Sequence, residues 1–185
     1  MPCRKGLERW RSDAFAAFLI VLPAVAAVAA VALALPDAPA TPTHRGQAEL
    51  AAARQFTAGL RTPERATAAG WFDSGLPCME NLGPGTDHGG MGLHWLRKAP
   101  DGAIPDPRRP EALVFDPVTR KLVAVEYVVA KDAWGGQQPP SLFGHSFTPT
   151  TLPNGVVVYK LHAWIWKPNP NGMFADFNPN VSACP

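Results

Sequence analysis

Charged side chains are scarce in this chain: Asp, Glu, Lys and Arg make up only 17% of its 185 residues, and the net charge is +2. That balance excludes two partner classes, because it gives neither the basic footprint of a nucleic-acid binder nor an acidic interaction tail. Tyrosine is rare as well, with two Tyr against six Trp. No segment repeats, and none of Ser74, Ser141 and Ser146 sits in a Gly-x-Ser-x-Gly context, which removes the serine hydrolases with a nucleophile elbow. What is abundant is proline and glycine, 21 and 16 residues, the composition of a turn-rich domain with aromatic anchors rather than a helical bundle.

The segment Ala14 to Leu35 carries no charge and follows Arg4, Lys5, Arg9 and Arg11, the order of a secretory signal. Its 22 residues would also cross a bilayer of about 30 Å as a helix, so a retained membrane anchor and a cleaved signal are both expected readings. Small residues at Ala38 and Ala40 suit cleavage before Thr41. Residues 1–40 are thus expected to be a signal peptide or N-terminal anchor with its linker, and 41–185 a single exported globular domain, periplasmic or extracellular. Membrane contact would come only through the first segment. Cys78 and Cys184 lie in the exported part and allow one disulfide across 106 residues; Cys3 precedes the hydrophobic stretch.

Along the domain, Leu50, Ala53, Phe56 and Leu60 recur at helical spacing and predict a helix over 46–60. Thr62 followed by Pro63 predicts the N-terminus of a second short helix that Gly70 ends, with Trp71 and Phe72 folding back onto the core. Asp73 to Gly92 holds six glycines and reads as a loop. Strands are expected at 92–96, 112–115, 122–130 and 156–167, the second and third joined by a hairpin through 116–121. The fold class is α+β, mainly β: a small antiparallel sheet or barrel-like domain preceded by one or two short helices and an N-terminal hydrophobic export helix.

Three polar residues interrupt the apolar strand sequences: His94 in GLHWL, Glu126 in VAVEYVV and His162 in YKLHAWIW. Burying a carboxylate among apolar neighbours is costly unless a cation or a proton meets it. Alternation places Glu126 on a face with Leu122, Ala124 and Val128, and His162 on one with Val158, Lys160 and Trp164. Two imidazoles and a carboxylate from neighbouring strands are the donor set of mononuclear Zn, Cu, Fe or Mn sites. His88, and after it His145, are candidate fourth ligands. Glu126 is also a candidate general base. Asp176, in NGMFADFNP, reads first as a turn residue together with Asn171 and Asn178, and second as a ligand or acid/base group. Trp164, Trp166, Phe174 and Phe177 can build either core or an apolar pocket.

In outline this arrangement resembles the cupin family, with His, Glu and His on separate strands and six residues between the Pro153-Asn154-Gly155 turn and His162. It departs from the cupin pattern in that five residues separate His88 from His94 and Glu126 lies far downstream. Across GMGLHWL, PEALVFDP, LVAVEYVV and NPNGMFADFNP the chain is similar to a family of uncharacterised secreted bacterial proteins, which implies export and no activity. The leading expectation is an exported β-rich domain binding a divalent transition metal through two His and one Glu, with hydrolytic or oxidative chemistry on a small molecule open to it. The alternative is a non-catalytic ligand-binding or structural envelope module with an aromatic pocket. Nothing in the sequence decides between an enzyme and a binding module.

Overall fold

The computed structural model describes residues 44–85, 87–97, 103–152 and 154–185. The export segment expected within 1–40 lies outside the described residues. Among the described residues no helix is long and apolar enough to cross a membrane.

Among the described residues two helices come first. Helix α1 (His44–Thr57) buries Gly46, Leu50, Ala53 and Thr57, a stripe at helical spacing, and leaves Phe56 at its margin, 36% exposed. Leu50 and Ala53 hold the expected face and Leu60, past the helix end, packs against the same core, whereas Phe56 does not; small residues permit close approach, since a Cβ on Gly46 would sit 2.6 Å from the Phe143 carbonyl oxygen. Helix α2 (Pro63–Ala68) starts as expected, with the Thr62 hydroxyl accepting from the Arg65 N–H and proline at its first turn. Trp71 packs inward after it, whereas Phe72 stays half exposed.

Nine strands follow among the described residues: β1 (Phe72–Asp73), β2 (Met79–Asn81), β3 (Gly89–Leu96), β4 (Ala112–Phe115), β5 (Leu122–Ala130), β6 (Ser141–Leu142), β7 (His145–Ser146), β8 (Thr148–Thr151) and β9 (Val157–Ala163). Seven form one antiparallel sheet in the order β1-β3-β4-β5-β9-β8, with β2 also on β3; β6 and β7 make a separate small ribbon. The sheet is open, so the barrel-like alternative does not hold for the described residues. Its last strand, β8, has the sequence TPTT, and its proline cannot donate to a further strand.

Alternation divides the central strands into two faces. Trp95, Leu113, Phe115, Val125, Tyr127, Val129, Leu161 and Ala163 pack with Leu50, Ala53, Ala66 and Trp71 of the helical layer in the main core. The opposite face carries His94, Ala112, Val114, Ala124, Glu126, Lys160 and His162. An irregularity in the β4–β5 pairing between Val114 and Phe115 moves Leu122 opposite Phe115, onto the helical side. Leu122 is therefore not on the Glu126 face, as strict alternation had it; Val123 joins Val114, Ala124, Trp164 and Val181 instead.

The chain after β9 returns across this second face without forming a strand. Trp164 donates its indole N–H to the Ala175 carbonyl, Asn178 exchanges two backbone hydrogen bonds with Gly90, and Ser182 N–H bonds Asp116. Gly89 makes the approach possible, since its φ is +118° and any Cβ there would collide with the Asn178 backbone. The path ends in a disulfide between Cys78 and Cys184, Cα atoms 5.7 Å apart, as the sequence anticipated. Such a bond fits a non-reducing compartment.

Candidate metal centre

Register brings the three polar strand residues together. Glu126 of β5 stands directly opposite His162 of β9. His94 comes from β3, two strands from β5 and so roughly 10 Å away along the sheet. The strand between them contributes only Ala112, opposite Glu126, and Val114, opposite His94. Over side chains this short, an imidazole and a glutamate can reach each other. The result is a group of one ligand atom each from His94, Glu126 and His162, all within 4.8 Å of one another.

The distances within the group are informative. His94 Nε2 lies 3.6 Å from one Glu126 oxygen and His162 Nε2 lies 3.6 Å from the other. Both exceed hydrogen-bonding range. Two donors about 2.1 Å from a common ion and 3.6 Å apart would subtend about 120° at it, near the angles of a tetrahedral site. Donors at the 4.8 Å limit of the group must close by about 1.2 Å to reach the same spacing. His162 is fully buried, His94 is 3% exposed and the Glu126 side chain 12%. His94 Nδ1 and His162 Nε2 are buried with no hydrogen-bond partner, an arrangement that costs about 1–3 kcal/mol per group if nothing else meets them.

Burial pushes the His94 imidazole down to about 4; the Glu126 charge opposes this, and His162 and Lys160 add to it. His94 is consequently neutral near pH 7, the form that ligates a metal. Behind His162, its Nδ1 lies 3.2 Å from Asp176 Oδ1, and Lys160 Nζ lies 3.0 Å from the same oxygen. Burial raises the Asp176 carboxyl, but the His162 hydrogen bond and the Lys160 ammonium outweigh it and hold the acid at about 2.

The other candidates lie elsewhere. His88 is exposed, with Nδ1 3.1 Å from the Gly85 carbonyl oxygen, and does not belong to the group. His145 lies tilted against Phe174, 3.9 Å between ring centres, and is also outside it. Trp164 is buried and Phe174 stacks on Phe143, so these aromatics are used in packing. Sequence reasoning gave Asp176 a turn role first; its bond to His162 across 14 residues depends on the returning C-terminal segment, for which the only local signal was an acid amid aromatic residues.

Comparison with protein-family models, with curated proteins and with solved structures gives no match to this chain. The buried His94/Glu126/His162 group, with geometry that can hold a metal ion, is what the molecule itself offers as a functional centre.

Proposed function

We propose that this protein is an exported single-domain metal protein, with an export segment in 1–40 and a domain over 41–185, that holds one divalent transition-metal ion through His94, Glu126 and His162. The observation that carries this reading is the convergence of two buried imidazoles on one carboxylate at 3.6 Å, too far for hydrogen bonds. A nitrogen-rich donor set suits Zn, Cu, Fe or Mn better than Mg or Ca, which take oxygen ligands. Three protein ligands leave a coordination position for water or a small molecule. Glu126 is the most accessible of the three, so it is the member best placed to act on an incoming small molecule as well as to ligate. Export is supported by the charge-free segment 14–35 behind a basic flank and by the Cys78–Cys184 bond.

The metal reading is favoured over an aromatic ligand pocket because Trp164, Trp166 and Phe174 are used in packing. Calorimetric titration of untagged, chelator-treated protein with Zn and Co tests it. The expected result is one ion per chain for the natural protein and none for His162→Ala. Absence of binding, or undiminished binding by that variant, overturns the proposal.

A further inference from the structure

We infer that Asp176 is a positioning residue for the proposed centre: it fixes His162 as the Nδ1–H tautomer, so that the Nε2 lone pair points toward Glu126, while Lys160 holds Asp176 in place. The inference rests on the metal reading for its function, but the tautomer itself can be observed without any metal.

Three observations carry it. His162 is fully buried, and the only hydrogen bond of its ring among the described residues runs from Nδ1 to Asp176 Oδ1, 3.2 Å away. A carboxylate only accepts, so the imidazole nitrogen facing it must carry the proton. In the neutral ring the other nitrogen is then an acceptor, and that nitrogen, Nε2, is buried, lacks a hydrogen-bond partner and lies 3.6 Å from Glu126. An imidazole whose outer nitrogen donates to a carboxylate is the usual support of a metal-bound histidine, because it sets ring orientation and strengthens the ligand.

Lys160 completes the device. It lies two residues before His162 on β9, so strand alternation puts both side chains on one face. Its ammonium reaches the same Asp176 oxygen at 3.0 Å while being only 9% exposed. Asp176 itself comes from the returning segment, held on either side by the bond from the Trp164 indole to Ala175 and by the bond from Phe177 N–H to Asp87. The centre is therefore assembled from three strands and one irregular segment, and Asp176 is the link between them.

The test combines nitrogen NMR of the histidine rings in metal-free protein at pH 8 with metal titration. Natural protein should show His162 as the Nδ1–H tautomer, and Asp176→Ala should shift it toward Nε2–H. Metal affinity should fall about 10- to 100-fold in Asp176→Ala and less in Asp176→Asn, whose amide oxygen can still accept. Asn180→Ala perturbs the same segment, where Asn180 bonds the Pro168 carbonyl, and should leave the tautomer unchanged. An Nε2–H tautomer in the natural protein overturns the inference. So does a natural protein that binds metal, but no more tightly than Asp176→Ala does. If the natural protein binds no metal yet shows the Asp176-dependent tautomer, the metal reading fails and the positioning of His162 stands.

Discussion

Glu126→Gln separates a metal-holding carboxylate from one that serves the fold. In metal-free protein this side chain is 12% exposed and faces two imidazoles, each 3.6 Å away. His94 is neutral near pH 7, held down to about 4 by burial, so it supplies no countercharge. A mostly buried carboxylate without close partners is a stability cost, and neutralising it should leave metal-free stability unchanged or raise it. Metal reverses the order. At 100 times its dissociation constant, a ligand that binds only the folded state adds about 2.7 kcal/mol, or roughly 8 °C in Tm for a domain of this size. Scanning calorimetry with and without added Zn should therefore give natural protein a rise of that order, and Glu126→Gln no rise from an equal or higher starting point. A glutamine variant that melts more than about 5 °C below the natural protein without metal would refute the reasoning, since Glu126 would then be stabilising the fold through pairing.

Removing the disulfide by Cys78→Ser with Cys184→Ser releases a loop of 106 residues, for which chain entropy gives about 4.8 kcal/mol as the expected loss in urea unfolding; a loss under about 1 kcal/mol would show the returning segment holds without it. Metal-free protein should lose stability as pH falls from about 6.5 to about 4. The unfolded chain protonates His94 in that window and the folded chain does not, so the unfolded state gains, by on the order of 3 kcal/mol in all. His94→Gln should flatten that part of the curve, and an unchanged slope would contradict the buried neutral imidazole. His88→Ala should leave metal affinity within about twofold, because His88 stands outside the group; a tenfold loss by titration would place it inside.

The runs ALVF and LVAVEYVVA are legible as strands because β-branched and apolar residues crowd them, and DPVTRK is legible as their turn, capped by Asp116 accepting from the Val118 and Thr119 N–H groups. Strand β8 is not, since TPTT has neither apolar alternation nor a free donor at its proline. His94, Glu126 and His162 could be picked out as misfits in apolar runs, but their meeting depends on strand order. Nothing in the sequence places the short residues Ala112 and Val114 between β3 and β5, or pairs β5 with β9 across the intervening β6 to β8. The irregularity at Val114 and Phe115, which moves Leu122 to the other face, is likewise a property of pairing rather than of either strand alone. Asp176 was obscured for the same reason, because its partner lies on a strand that its own loop geometry does not identify.

The central claim is about position as well as affinity, so the most direct measurement is anomalous scattering at the zinc edge from a crystal of untagged protein soaked in Zn. The expected result is one strong peak about 2.1 Å from donor atoms of His94, Glu126 and His162, with His162 bound through Nε2. A map with no peak in that group, or with its strongest peak at His88 or His145, would contradict the account.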